Sequence, residues 1–226
     1  MVGRDRYIEY VSWLANVAAS CEKILQEIRN LQRSEIQEAG EGFDIKKQVG
    51  SSTMAHKKNP IKSENASGLA RIVRSMIIPT YENALLWHER DLANSSSERF
   101  TLSHGSALCE DVINKTRQVL TNMWVDADRC LENIKSQRGL VMAEKVMIEL
   151  VEHGIPRDEA HEILRSASFE AVDKKIELID VCSRTPEIAA AFSAEELEAM
   201  FDPMNHIGVS GEIVDEAVNL ARLAVQ

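Results

Sequence analysis

The chain has 226 residues, enough to bury a sizeable core in one large domain or two modest ones. Its 10 glycines, 5 prolines and 5% aromatic residues are few, and this composition favours an all-helical protein. The formal net charge of −10 argues against a general nucleic-acid binder, because neutralising phosphates requires a broad basic face.

A first long helix is predicted from about Asp5 to Glu38, a stretch without proline or glycine. Its apolar residues recur at alternating intervals of three and four, which keeps one stripe facing a partner helix. The stripe consists of Val11, Leu14, Ala18, Cys21, Leu25 and Ile28. A second apolar line widens this face, so the helix needs neighbours on more than one side.

A second long helix is predicted after the break at residues 39–42 and a turn-rich loop over about 40–60. Asn59 is expected to cap this helix, with Pro60 at the first helical position, where its missing N–H costs nothing. Pro79 should bend the helix part-way along its length.

A third helix is predicted to start at Ser95, which has the spacing of a capping box with Glu98, and to run to about Trp124. Three long helices predict half of an antiparallel bundle. Breakers then become frequent, which predicts a small helical domain over 126–226. The predicted fold is therefore all-α, with a helical-bundle domain over 1–125 followed by a small C-terminal helical domain.

The segment Lys46–Lys62 is positively charged in a chain of negative net charge, since it carries five lysines and no acid. Such a basic island calls for an anionic partner. Within it, Ser51 could act as a base only if its alkoxide were stabilised. Lowering the pKa of the hydroxyl by one unit requires about 1.4 kcal/mol of such stabilisation. Gly50 permits an unusual turn there, and Lys57 and Lys58 supply positive charge. The residues alone leave open whether Ser51 is catalytic or a loop serine.

Cysteine and histidine spacing predicts neither a metal nor a cofactor. The four cysteines are widely separated without a CxxC pair, which indicates buried thiols in a reducing cytosol. No two histidines have metal-ligand spacing. Because no apolar run approaches membrane-spanning length and the first residues are charged, we expect a cytoplasmic protein without a membrane partner.

The run from Gly50 to Pro60, GSSTMAHKKNP, closely resembles the signature loop of the fumarase/aspartase superfamily, whose members are homotetrameric lyases that release fumarate by β-elimination. The sequences SEN at 63–65 and GLAR at 68–71 reinforce this resemblance. The block WHERDLANSSSER at 87–99 is similar to adenylosuccinate lyases rather than to fumarases, aspartases or argininosuccinate lyases.

The resemblance implies roles for the residues of the signature loop. Ser51 matches the general base that removes the β-proton of the succinyl group. Lys57 and Asn59 match residues that bind the succinyl carboxylates and stabilise the dianionic intermediate. Ser52 and the backbone around Met54 belong to the same cradle.

Four further residues match family positions downstream of the loop. Glu64 matches a carboxylate that orients an active-site histidine and keeps it charged. Arg90, Ser95 and Arg99 match contacts to the nucleotide phosphate. A capped helix with solvated arginines also explains these last three, and the two interpretations can coexist.

The resemblance implies a purine-biosynthesis lyase that releases fumarate from adenylosuccinate, giving AMP, and from the succinyl imidazole-carboxamide ribotide. Its substrate would be a small nucleotide, and its partner further copies of the chain, packed as a tetramer through the long helices. Two alternatives stay open, a carboxymuconate cycloisomerase-like member of the superfamily, which needs no phosphate site, and a non-catalytic helical assembly module.

The sequence departs from the family pattern in two respects. Ala55 stands where the family usually has proline, which should loosen the loop and weaken its closure over substrate. Family members are about twice as long as this chain, so we expect a C-terminal portion without the general-acid histidine, whose activity alone is doubtful. The wide apolar helix faces predict that it self-associates.

Overall fold

A computed structural model describes residues 3–42 and 58–225 of the chain. The described residues are mostly helical, which confirms the predicted all-α fold. They divide into two compact units, Met1–Cys130 and Leu131–Gln226. Each unit has its own hydrophobic core.

The first unit contains five helices and a short two-stranded ladder among its described residues. In chain order these are α1 Asp5–Leu31, β1 Ala39–Gly40, α2 Ile61–Ser75, α3 Ile77–Glu82, α4 Ala93–Thr101, α5 Ser103–Asn122 and β2 Trp124–Val125. Helix α6 follows at Ala127–Ser136.

The second unit is built from six helices and two 3₁₀ turns among its described residues. They are a 3₁₀ turn at Leu140–Met142, α7 Ala143–Glu152, α8 Arg157–Lys174, α9 Leu178–Cys182, α10 Pro186–Ala191, α11 Ala194–Phe201, a 3₁₀ turn at Pro203–His206 and α12 Ser210–Val225.

Helices α1, α2 and α5 form the bundle of the first unit. Near the start of α1, Leu14 packs with Val73 and Cys109, and near its end Leu25 packs with Ala66 and Val119. Residue numbers therefore rise together along α1 and α5 and fall along α2, so α2 runs antiparallel to the other two. The predicted stripe of α1 is confirmed, except that its cysteine is only half-buried.

The first helix ends seven residues earlier than predicted. The chain turns at Gln32, and Gln37 adopts a left-handed conformation with φ of +57°. Ala39 and Gly40 then pair with Val125 and Trp124 in the antiparallel ladder. Periodicity could not reveal this end, because the hydrogen bonds that replace the helix come from a strand 85 residues later in the chain.

The second helix divides near its predicted bend. Helix α2 ends at Ser75, and α3 begins at Ile77 with Pro79 in its first turn. Proline has no N–H to donate to the carbonyl four residues earlier, so the backbone ladder is broken there. The predicted cap at Asn59 is wrong, since the residue before α2 is Pro60 and α2 starts one residue later than expected.

The third helix differs from its prediction at both its start and its centre. Helix α4 begins at Ala93, two residues before the predicted capping box, and the chain breaks at Leu102 before α5. The Asp91 carboxylate instead accepts hydrogen bonds from the N–H groups of Ala93, at 2.9 Å, and Trp87, at 3.1 Å. These bonds hold the pKa of Asp91 below its usual value.

The core of the second unit is built from side chains of α7, α8, α9, α10 and α11. A capping box starts α11, where the Ser193 hydroxyl accepts from the Glu196 N–H at 3.2 Å and the Glu196 carboxylate accepts from the Ser193 N–H at 2.8 Å. Burial raises the pKa of the Cys182 thiol to about 12, so this thiol stays protonated at neutral pH.

Gly139 in the second unit is expected to tolerate no side chain. Its φ is +77°, and a Cβ there would lie 2.8 Å from ring carbons of Phe201. Gly139→Ala should therefore lower the free energy of unfolding by about 1–3 kcal/mol, measured by urea titration. Gly154→Ala is the matched control, since Gly154 has a φ of +92° but open space around it. An equal decrease in the free energy of unfolding of the two variants would show that a clash with Phe201 does not contribute to the effect of Gly139→Ala.

Candidate functional site

A groove of about 810 Å³ lies in the first unit, where α1 ends and α2 begins. Asn59 and Glu64, two of the predicted site residues, line it. The predicted residues Ser51, Ser52, Met54 and Lys57 lie outside the described residues. The groove is lined by Arg29, Gln32, Arg33, Ser34, Gln37, Lys58, Asn59, Pro60, Glu64 and Trp124.

A buried carboxylate that sequence reasoning missed holds the first turn of α2. Glu41 is only 4% exposed, and it accepts hydrogen bonds from the Lys62 N–H at 3.1 Å and the Ser63 N–H at 2.9 Å. The Ser63 hydroxyl donates to it as well, at 2.9 Å. Glu41 thus satisfies N–H groups that a helix start leaves without partners.

One glutamine side chain joins the two stretches of chain that meet at this groove. The Gln32 amide oxygen accepts from the Glu41 N–H at 2.9 Å, and its nitrogen donates to the Lys58 carbonyl at 3.0 Å. Gly40 lies against this side chain, since a Cβ at that position would be 2.8 Å from Cγ of Gln32. Glycine is therefore required where β1 passes the end of α1.

The groove carries more positive than negative charge. Arg29, Arg33 and Lys58 line it, against the single carboxylate of Glu64. Arg33 forms an exposed ion pair with Glu35, with 3.4 Å between nitrogen and oxygen, which solvent screens strongly. A groove with this excess of cationic side chains favours an anionic ligand.

The other predicted contacts, Arg90, Ser95 and Arg99, lie on and just before α4. Ser95 and Arg99 are four residues apart on this helix and therefore share one face. Both arginine side chains are exposed. The Arg90 Nε is 3.4 Å from the Asp91 carbonyl, a weak hydrogen bond that leaves the guanidinium available to an anion.

An ion pair fixes α4 against the start of α1. The Arg4 Nε is 2.7 Å from the Glu98 carboxylate, which also accepts from the Asn94 amide at 2.7 Å. Burial alone would raise the pKa of Glu98, but these hydrogen bonds and the charges of Arg4 and Arg90 keep it below its usual value. Glu98 is thus engaged with Arg4 rather than in the predicted capping box.

Of the described site residues, Asn59 and Glu64 are not brought together with Arg90, Ser95 and Arg99 within one chain. Arg4 holds α4 at the start of α1, and Gln32 holds Lys58 beyond its end. These two contacts are separated by the length of α1, which at a rise of 1.5 Å per residue is about 40 Å. That distance exceeds the length of a nucleotide.

The described part of the chain offers neither a metal site nor a membrane-spanning helix. Across residues 3–42 and 58–225, no three histidine, cysteine, aspartate or glutamate side chains are grouped so that they could hold a metal ion. Over the same residues, the structure contains no helix with the length and apolar character needed to cross a membrane.

Comparison with protein families gives two matches that together cover most of the chain. The family described as "Lyase" matches residues 1–75, and the family described as "Adenylosuccinate lyase C-terminus" matches residues 139–217. The second match lies in the part of the chain that sequence motifs left without a functional assignment.

Curated relatives match nearly all of the chain. Adenylosuccinate lyases from Archaeoglobus fulgidus and Methanothermobacter thermautotrophicus are each 42% identical to it over 218 residues. In both cases the match covers 96% of this chain and 49% of the relative. The chain therefore spans about half the length of the curated relatives it matches.

Solved structures share the fold. A 3-carboxy-cis,cis-muconate lactonizing enzyme from Pseudomonas putida aligns with a TM-score of 0.85 and 31% identity. A fumarate lyase from Mesorhizobium aligns with a TM-score of 0.85 and 29% identity. Each alignment covers 96% of this chain and 47% of the other.

Proposed function

Since this chain belongs to the adenylosuccinate lyase family of the fumarase/aspartase superfamily, we propose that it forms part of an enzyme of purine biosynthesis. The reaction is the β-elimination of fumarate from adenylosuccinate, which leaves AMP, and from the succinyl imidazole-carboxamide ribotide. The observation that carries the proposal is the cationic groove that contains Asn59 and Glu64, at the flank of the signature segment.

The proposed reaction begins with proton removal from the succinyl group. Ser51 takes the β-proton, and the electron pair left on carbon delocalises into the neighbouring carboxylate. Lys57 and Asn59 stabilise the resulting dianion by charge and hydrogen bonding. The bond between carbon and nitrogen then breaks, fumarate forms, and the departing nitrogen gains a proton. Glu64 acts by orienting the histidine that the resemblance assigns to this last transfer.

The phosphate of the substrate is proposed to bind Arg90, Ser95 and Arg99. Two exposed guanidinium groups, that of Arg90 just before α4 and that of Arg99 in its last turn, suit a phosphate, which accepts paired hydrogen bonds from arginine. In one chain, this group is about the length of α1 away from Asn59. We therefore propose that each site combines the signature segment of one copy with the phosphate contacts of another copy.

The surface of the first unit supports this assembly. Large apolar side chains are exposed along its helices, among them Trp13 at 58% and Ile78 at 70%. Exposed large apolar side chains mark association surfaces where they form a contiguous patch. Two bundles packed antiparallel through these faces would place α4 of one copy beside the groove of the other, and closed symmetry would extend this to the proposed tetramer.

The proposed function is tested by fumarate release from adenylosuccinate, followed by absorbance. The assay uses the chain alone and the chain co-expressed with the other half of the Archaeoglobus fulgidus relative. We expect activity in the co-expressed sample. A folded, assembled but inactive sample would contradict the proposal and favour the alternative, a non-catalytic assembly module.

Arg99→Ala is expected to raise the KM for adenylosuccinate by about 100-fold, because it removes a charged partner of the phosphate. Arg117→Ala is the matched control, since Arg117 is also exposed but lies on α5. The variant also separates the proposal from the second candidate, a cycloisomerase like the Pseudomonas enzyme of similar structure. A KM unchanged by Arg99→Ala would favour a substrate without a phosphate.

A further inference from the structure

We infer that Gln32 and Glu41 are positioning residues, which fix the orientation of Asn59 and Glu64 in the groove. The inference rests on the proposed function, in which those two residues meet the substrate or its proton donor. Neither Gln32 nor Glu41 belongs to the sequence motifs, and their roles follow from hydrogen bonds that connect distant parts of the chain.

Glu41 acts through the backbone of α2. Both of its carboxylate oxygens are used, one by the Lys62 N–H and the other by the N–H and hydroxyl of Ser63. Because Glu64 follows directly and lies in the same turn, the direction of its side chain depends on this anchorage. Glu41 does not line the groove, so its influence on a ligand is indirect.

The Ser63 hydroxyl makes the anchorage rigid. A carboxylate that is 4% exposed is stable there only if donors replace the water it has lost. The three donations come from two consecutive residues, and the Ser67 hydroxyl, also buried, donates to the Ser63 carbonyl at 2.7 Å. Both the N–H groups and a carbonyl of the first turn of α2 therefore have hydrogen-bond partners, which hold this turn in place.

Gln32 acts on the residue before Asn59. Its amide holds the Lys58 carbonyl and the Glu41 N–H at once, so the stretch that enters α2 and the stretch that carries Glu41 cannot move independently. Gln32 directly follows the last residue of α1. This helix is packed into the bundle core through Ile28. The groove thus takes its geometry from the bundle itself.

Hydrogen exchange at backbone amides of the chain tests the anchorage directly. In Glu41→Gln we expect the Lys62 and Ser63 amides to exchange about ten-fold faster, while the Val73 amide in the middle of α2 is unchanged. Glu27→Gln is the matched control on an exposed position of α1. Unchanged exchange at Lys62 and Ser63, or equal acceleration at Val73, would overturn the local role of Glu41.

The kinetics of the co-expressed enzyme test whether the anchorage matters for the reaction. Gln32→Met should raise the KM about ten-fold with little change in kcat, since Lys58 adjoins the substrate contact Asn59. Glu41→Gln should lower kcat about ten-fold with little change in KM, since Ser63 adjoins Glu64. Gln26→Met, at an exposed position of α1, is the control for the first variant.

The two sets of measurements separate the failure of this inference from the failure of the proposed function. Folded variants whose kcat and KM both match the unsubstituted enzyme would show that Gln32 and Glu41 serve stability alone. If the unsubstituted co-expressed sample releases no fumarate, the proposed function fails, and amide exchange alone then decides whether Glu41 anchors the turn before Glu64.

Discussion

Replacing Ser51 with alanine is expected to lower kcat for adenylosuccinate by about 10²–10⁴-fold, the range that a positioned general base contributes. The KM should change little, because the proposed carboxylate and phosphate contacts stay in place. Exchange of the substrate β-proton with deuterated solvent should be lost to the same degree, since proton removal is the step affected. Both quantities are measured on the chain co-expressed with the other half of the archaeal relative.

Ser136→Ala is the control for this variant, because its hydroxyl is exposed, donates to the Asn133 carbonyl at 2.7 Å and accepts a long hydrogen bond from the Gln137 amide at 3.5 Å. It should leave kcat unchanged. A Ser51→Ala enzyme that keeps kcat within about ten-fold of the unsubstituted enzyme would exclude Ser51 as the base. Loss of kcat with β-proton exchange intact would place Ser51 at a later step.

At a substrate concentration far below the KM of Arg99→Ala, this variant and Ser51→Ala are both nearly inactive, and they are expected to restore activity when they are mixed. Ser51→Ala alters the signature segment and Arg99→Ala the proposed phosphate contacts, and Asn59 of that segment lies about 40 Å from the Arg99 end of the bundle in one chain. If each site takes Ser51 from one copy and Arg99 from another, a random equal mixture forms intact sites at about a quarter of positions. Fumarate release at about that fraction of the unsubstituted rate is the expected measurement.

The control mixture pairs Ser51→Ala with Asn59→Ala, two changes in the same signature segment of the sequence. Because both residues would come from the same copy, no mixture contains an intact site, and activity should not recover. If the Ser51→Ala and Arg99→Ala mixture also stays at the level of its parents, sites shared between copies are excluded. The mixture must be formed by co-expression, so that copies exchange before they assemble.

Helix positions and core residues could be predicted where they depend on local spacing. The intervals of three and four in α1 place Leu14, Leu25 and Ile28 on one face whatever the helix packs against, and the structure buries all three. The Ser193 capping box is likewise local, since its partners are three residues apart and need no distant group.

Predictions failed where a distant group competes with a local one. Ser95 has the spacing of a capping residue, but Glu98 forms an ion pair with Arg4, which is 94 residues away. The Asp91 carboxylate instead accepts from the first N–H of α4, that of Ala93. Likewise Glu41, not Asn59, holds the start of α2. One signal could have identified Glu41, because it is an acid between two glycines just before a segment without acids.

The site residues were predicted from a family resemblance, and their arrangement was not. Motifs assign Asn59, Glu64 and Arg99 to one reaction, but only the antiparallel direction of α2 determines that Arg99 is at the far end of the bundle. Sequence spacing contains no information on this point, because the direction of packing depends on which apolar faces meet.

The length of α1 has a consequence for how the proposed sites influence one another. If one site forms at each end of every bundle, neighbouring sites are about 40 Å apart, five times the Debye length of about 8 Å in physiological salt. An anion bound at one site therefore exerts almost no electrostatic force on the next. Any cooperativity between sites would have to be mechanical, transmitted by displacement of α1 along its own axis.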